Sequence, residues 1–411
     1  MDSAWSEFKQ GWKVIIAGAS GVGVGLIGAP IMTLGVFVLP LEKAFGWTRG
    51  QVSLATLCMV TGAILTAPYI GRICDRVPVR KIGIFSLISL GIGLLLMTQI
   101  NGNIMTFYGG LLVLSLLGSG TTPTVWTRGV STWFDKKRGA ALGLTLAGTG
   151  FASMLLPPFI GGLIADYDWR AGYVGLAMLV FAAIIPVALF FRDKPGPAAG
   201  VAPIAKIGMD TKEAMRTRQF WQLAIGNCLV TAGTASMITH LVPLLRGANF
   251  ELPTALGTAA LMGFSIILGR LLMGYLVDHF HAPYVAAAFI AGPCIAVLLL
   301  MGTPTSVLQI QIAAVLIGLT AGSEVDVLAY IVGRFFGLKN YGALYGWQFI
   351  FFELAVGFGP LLVGRSFDAT GNYDAAMIGL SCVFAAGGVL MGTLGRAPFQ
   401  PQTATAAAPA E

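Results

Sequence analysis

The chain has 411 residues, 56% of them hydrophobic and only 10% charged, against about 25% charged in a soluble domain. That deficit excludes an ordinary soluble fold and marks a membrane protein. The formal net charge of +7 comes without any basic run interleaved with aromatics, so nucleic acid is not an expected partner. Cys58, Cys74, Cys228, Cys294 and Cys382 are scattered through apolar runs. That scatter speaks against a disulfide framework or a metal site, and no cofactor is expected.

Twelve apolar segments of helix length follow one another, predicting an all-α membrane protein with twelve transmembrane helices. The first six are 14–40, 51–73, 82–100, 104–131, 139–164 and 171–191. No cleavable signal peptide is expected, because the run from Val14 is too long and lacks a small-residue cleavage site. A polar interval at 192–219 divides the spans six and six. The second six are 220–245, 254–277, 283–303, 306–333, 341–364 and 375–395. The chain thus divides into an N-terminal bundle (1–191), a linker (192–219), a C-terminal bundle (220–396) and a low-complexity tail (397–411) expected to be disordered.

Two weak internal matches fall at nearly one offset. Gly71 and Asp75 in the second span correspond to Gly274 and Asp278 in the eighth. Pro158, Gly162 and Asp166 in the fifth correspond to Pro360, Gly364 and Asp368 in the eleventh. Together they predict two pseudo-symmetric six-helix bundles, the plan of an alternating-access transporter. Orientation follows from Lys and Arg. With both termini cytoplasmic, the inner segments hold 18 of the 25 basic residues and the outer loops five. The N-in/C-in arrangement is therefore predicted.

Arg270 is the singular residue. It lies eight residues before Asp278, roughly 12 Å inside the membrane, where a charge costs on the order of 2.5–3.5 kcal/mol. Either a structural acid or an anionic ligand must offset that cost, and the two are compatible if the ligand displaces the acid. A planar guanidinium suits a carboxylate. Glu324, Asp326 and Glu353 are the acids within spans. Positions 324 and 326 lie about 200° apart on a helix, so they face different ways. Buried carboxyls that take up and release protons are candidates for proton coupling; the other reading is neutral acids that hold helices together. His240 reads as a helix-interface residue or a pH-sensitive gate. Arg128 reads as a residue that snorkels or pairs with an acid, with a substrate role as the lesser alternative. Trp126, Asn227, Tyr345 and Gln348 are candidates to complete a substrate pocket with aromatic walls.

Gly71-Arg72-Ile73-Cys74-Asp75-Arg76-Val77-Pro78-Val79-Arg80-Lys81 resembles the loop 2–3 signature of the major facilitator superfamily. Trp133-Phe134-Asp135-Lys136-Lys137-Arg138-Gly139, with Ala147-Gly148, is similar to the fifth-helix signature of its monocarboxylate porter branch, which also includes oxalate/formate exchangers. Gly35-Val36-Phe37, Phe45-Gly46-Trp47 and Gln51-Val52-Ser53 resemble that branch's first-helix region, and Tyr341-Gly342 with Tyr345-Gly346 extends the likeness to the C-terminal half. The resemblance implies the family's fold and a role for Arg270 in binding a substrate carboxylate. Asp75, Arg76 and Arg80, with Asp278 in the second half, read as a conformational gate or, alternatively, as plain positive-inside topology. Two positions depart from the branch. Ile266 stands where proton-coupled members often have an aspartate, and Val38-Leu39 where many have a lysine. Any proton site is then expected on the tenth or eleventh helix.

The function expected is secondary active transport of an organic anion, a monocarboxylate of larger or aromatic kind, by proton coupling or exchange with a counter-anion. A monomer in a lipid bilayer is expected, placed in the plasma membrane (the inner membrane of a bacterium). The alternative is proton-driven efflux of apolar or cationic compounds held by Glu324, Asp326 or Glu353. A non-transporting sensor ranks below both. No nucleophile–base pair, metal set or phosphate loop supports an enzyme.

Overall fold

The computed structural model describes residues 2–74, 76–134, 138–193, 208–302, 304–337 and 339–396, apart from the side chains of residues 2–6, 68, 71–72, 138–139 and 278. Among these residues twelve helical spans are long and apolar enough to cross a bilayer. The first is built from Asp2–Gly23, a π-helical turn at Ile27–Ile31 and Met32–Phe45. The second is Arg49–Cys74 and the third Val79–Met97. The fourth is split into Ile104–Gly118 and Pro123–Ser131. The fifth and sixth are Arg138–Asp166 and Trp169–Phe190. The second half comprises Arg218–Gly247, Leu252–His279, Ala282–Leu300, Val307–Phe336, Tyr341–Thr370 and Asp374–Gly392.

The predicted spans correspond one to one with these helices, and three differ in an informative way. The first is interrupted at residues 24–31, where Pro30 cannot donate to the helical ladder. The fourth is interrupted by a 3₁₀ turn at Ser119–Thr121, ahead of Pro123. The two interruptions meet: the amide of Leu26 donates to Thr121 Oγ1 at 2.9 Å. A backbone group freed inside the membrane is thereby satisfied, as hydrocarbon requires. The eleventh span outruns its apolar stretch by a turn and a half. It carries Arg365 and Asp368 to a left-handed stop at Gly371 (φ 74°).

Two bundles of six helices repeat one packing pattern. The first span packs on the fifth, the second on the fourth and the third on the sixth. The seventh packs in the same way on the eleventh, the eighth on the tenth and the ninth on the twelfth. Each bundle has its own buried apolar cluster, one drawn from residues 14–191 and the other from 214–394 with Val36. The bundles meet where the first span faces the seventh, the second the eleventh and the fifth the eighth.

Twelve spans bring the start of the first, the end of the twelfth and the residues flanking the linker, Asp193 and Gly208, to one side, here the linker face; the other is the distal face. The linker holds on at both ends. Asp193 accepts from the amides of Val79 and Arg80 at 2.8 and 3.1 Å, occupying the free N-terminus of the third span. Met209 donates to the Phe336 carbonyl at 2.8 Å, and Asp210 pairs with Lys339 at 3.0 Å. Residues 194–207 and the tail from 397 onward lie outside the described residues.

Candidate functional site: an interfacial cavity

The site begins with small residues. Gly318, Gly322 and Asp326 repeat every fourth residue and share one face of the tenth span. A Cβ at Gly322 would lie 2.0 Å from the Ile266 carbonyl oxygen, and one at Gly318 2.4 Å from that of Met262. The absence of side chains lets the eighth and tenth spans touch backbone to backbone. Arg270 then reaches Asp326, Nη1 to Oδ1, at 3.5 Å. The contact is long, and the buried second oxygen, Oδ2, has no hydrogen-bond partner among the described residues. Because backbone atoms cannot yield, Gly322→Leu is expected to destabilise the C-terminal bundle by about 1–3 kcal/mol or more. A thermal unfolding scan of purified protein checks this; an unchanged midpoint would remove the glycine contact from the account.

Glu324 faces the other way, as the helical angle requires. Its oxygens accept from Thr231 Oγ1 at 2.8 Å and Thr234 Oγ1 at 2.7 Å. The two threonines sit three residues apart on the seventh span, so one helix face presents both hydroxyls. The tenth span therefore holds two acids with opposite partners, an arginine of the eighth span and a hydroxyl pair of the seventh.

Between the bundles lies a cavity of about 280 Å³. Arg270 is its only basic lining residue and Glu324 its only acidic one, among the described residues. Tyr345, Phe349 and Phe352 form an aromatic wall, stacked in order with ring centroids 5.8 and 5.2 Å apart. The N-terminal bundle contributes Ile27, Ile31 and Met32 from its interrupted first span and Pro123, Thr124 and Thr127 from its interrupted fourth, with Thr56 of the second and Leu146 and Thr149 of the fifth. Seven threonines in all border the space. It can hold one anionic group, offer hydroxyls to polar substituents and pack an apolar body against rings.

The distal side is sealed. Arg49 donates to Tyr373 Oη at 3.0 Å, pairs with Glu42 at 3.3 Å and stacks 3.8 Å above the Phe367 ring. The Gly50 amide donates to Asp368 Oδ2 at 3.0 Å. His240 sits inside this cluster, 3.2 Å from both Ser53 Oγ and Tyr373 Oη and 2.9 Å from the Pro360 carbonyl. All three hydrogen bonds between the bundles, among the described residues, belong to this seal. Near the linker face, Asp193 bonds to Val79 and Arg80 within the N-terminal bundle, and Asn340 to Met209 and Asp210 within the C-terminal half. The cavity lies on the linker side of the seal, so the molecule is closed distally.

Of the residues predicted to bind substrate, Arg270 and Tyr345 line the cavity, and three do not. Trp126 is fully buried in the N-terminal bundle, donating to the Thr121 carbonyl at 3.1 Å and meeting Phe191 edge-on. Gln348 is turned to the seventh span, where its amide donates to the Phe220 carbonyl at 3.0 Å. Asn227 lies behind Glu324 against the ninth and twelfth spans. Each is polar and within a span, but each faces its own bundle.

Among the proton-coupling candidates, Glu324 lines the cavity and Asp326 touches Arg270. Glu353 is buried on the helix face of Gly357, which meets Leu57 of the second span, and it has no hydrogen bond among the described residues. His240 is an interface residue of the seal, away from the cavity. Of the gate candidates, Asp75 lies outside the described residues, as does the side chain of Asp278. Arg76 is exposed at the turn. The Arg80 guanidinium donates to the Ala188 carbonyl of the sixth span, inside its own bundle. Sequence reading missed Thr231 and Thr234, although Asn227, Thr231 and Thr234 recur at i, i+4 and i+7 as a polar stripe. It also read Arg49 only as a loop charge.

Two repeated six-helix bundles, a cavity between them and a seal on one face define a secondary transporter in a membrane. The sequence model of the Major Facilitator Superfamily matches residues 20–360, and the chain belongs to that family. It is 25% identical over 356 residues, 82% of its length and 84% of the relative's, to an uncharacterized MFS-type transporter of Bacillus subtilis, YcxA. It is 22% identical to monocarboxylate transporter 13 of Bos taurus, covering 96% of this chain and 90% of that one. Among solved structures it is similar to the nucleoside transporter NupG, with a TM-score of 0.73 at 12% identity over 92% of this chain and 98% of that one. A bacterial homologue of the human lysosomal transporter Spinster, inward-facing and unoccupied, gives 0.66 at 18% identity over 93% of each chain. The fold is thus that of multi-pass transporters, and the chain is a transporter rather than an enzyme.

Proposed function

We propose that this protein carries an organic anion, a monocarboxylate with a large or aromatic body, across the plasma membrane by alternating access. The carrying observation is Arg270, the one basic residue among the described residues on a cavity wall that also holds Glu324, threonines, aliphatics and stacked rings. Its contact with Asp326 is long enough to be exchanged for a substrate carboxylate, which offers two oxygens to the guanidinium fork. The likeness to monocarboxylate transporters supports the same reading.

Glu324 is the proton carrier in this proposal. It opens on the cavity and its two threonine partners serve either charge state, since each hydroxyl both donates and accepts. With the linker face cytoplasmic, as the basic residues favour, the distally sealed form is the inward-facing one. An imposed pH gradient is expected to drive labelled carboxylate uptake into wild-type proteoliposomes, whereas Glu324→Gln retains exchange and loses the gradient response. Equal gradient-driven uptake by both would assign the proton elsewhere.

One observation favours a second reading. With Arg270 held by Asp326, Glu324 is the acid left on the cavity wall without a basic partner among the described residues, which suits efflux of a cationic or apolar compound. A carboxylic acid and a cationic amine of the same skeleton, offered to the same proteoliposomes, separate the two.

A further inference from the structure

Behind Glu324, on the side away from the cavity, the C-terminal bundle encloses a void of about 10 Å³. Its walls include Asn227 of the seventh span, Thr320, Ser323 and Glu324 of the tenth, and Ala286 of the ninth. Asn227 is 2% exposed, and its Nδ2 has no hydrogen-bond partner among the described residues. A buried amide hydrogen left in that way keeps its full desolvation cost. The void is at the lower limit for one water molecule, which needs roughly 10–15 Å³ and two to four polar partners.

Those partners are present. Ser323 donates to the Thr320 carbonyl at 2.7 Å, and Thr320 donates to the Phe289 carbonyl at 2.7 Å. Both hydroxyls have thus spent their protons and offer lone pairs. Asn227 offers a proton. The Glu324 carboxyl accepts or donates according to its state. We infer that this pocket holds a single water that joins Asn227 to Glu324, and that Asn227 is a positioning residue for the Glu324 carboxyl. The inference rests on the reading of Glu324 as the proton carrier.

The consequence is a carboxyl held from two sides. Thr231 and Thr234 fix it from the seventh span where it meets the cavity, and the Asn227-bound water fixes it from within the bundle. Thus one stripe of the seventh span, at 227, 231 and 234, supplies both supports. The charged and titratable groups bordering the same cavity are Arg270 of the eighth span and Tyr345 of the eleventh. The ninth and twelfth spans contribute only Ala286, Ile290 and Met391 to the void.

The test is infrared difference spectroscopy of the full-length protein in lipid, with pH as the perturbation. The band lost in Glu324→Gln identifies the Glu324 carbonyl stretch. Asn227→Leu removes the amide, and Ala286→Val fills the void while leaving the amide in the chain. In each folded variant the Glu324 band is expected to move from its wild-type position. A band left in place in either one overturns the inference, and if one variant does not fold the other decides. If no band is lost in Glu324→Gln, the proton-carrier reading falls and this inference falls with it. A band that is present but unmoved by Asn227→Leu or Ala286→Val overturns this inference and leaves the proton-carrier reading standing.

Discussion

Replacing Arg270 by alanine is expected to abolish carboxylate transport. Truncating one member of a desolvated charge pair costs about 2–5 kcal/mol, or roughly 30-fold to several-thousand-fold in affinity. Here it costs the ligand its only cation in the cavity and leaves Asp326 without a counter-charge. Arg270→Lys keeps the charge but loses the planar fork, so an intermediate defect is expected. Ligand-induced thermal stabilisation by carboxylic acids reads the affinity directly, and uptake into proteoliposomes reads the flux. Equal stabilisation of wild type and Arg270→Ala by the same acid would remove Arg270 from the binding site. The bundle itself is expected to survive, because the backbone contacts of Gly269, Gly318 and Gly322 persist.

The second large effect is expected at the distal seal. A Cβ on Gly364 of the eleventh span would lie 2.8 Å from the Gly50 Cα and 2.9 Å from its nitrogen, both on the second span. Gly364→Val therefore cannot coexist with the Gly50–Asp368 and Arg49–Tyr373 hydrogen bonds. The clash is between bundles, so it opposes one conformation rather than folding. The variant is expected to bind substrate and to lose nearly all flux, with the distal side held open. A cysteine introduced at Thr56, on the cavity wall, reports this by its labelling from the distal side. It should label readily in Gly364→Val and poorly with Gly364 intact. Poor labelling in both would show that the seal tolerates the side chain.

The fold was legible because membrane spans are long and chemically uniform. Twelve apolar runs and one polar interval were enough to place the bundles, and two weak motif pairs gave their repetition. What stayed hidden depended on direction and depth. Asp326 and Glu324 could be assigned opposite faces from the helical angle alone, and they have them. Their partners could not, because Thr231 and Thr234 lie some ninety residues earlier and look like ordinary small residues of an apolar helix. Trp126, Asn227 and Gln348 do not line the cavity, for one reason. A polar or aromatic residue in a span is equally suited to a cavity and to its own bundle's interior, and only the rotation of the helix decides.

The interruptions carried a signal that composition does not weigh. Pro30 and Pro123 break the first and fourth spans at one level, where Thr121 satisfies the freed Leu26 amide. Both breaks border the cavity, as irregular backbone in a membrane must line a polar space or be covered by protein. The distal seal was hidden for the opposite reason. Arg49, Asp368 and Tyr373 are at span ends, where charged and aromatic residues are common and ordinarily belong to the interface with water.

The central claim is that the cavity selects an anion through Arg270. Uptake of a labelled aromatic monocarboxylate and of its uncharged amide, measured side by side in wild-type proteoliposomes, tests it most directly. The account predicts saturable uptake of the acid and none of the amide beyond protein-free vesicles. Equal protein-dependent uptake of both would contradict it.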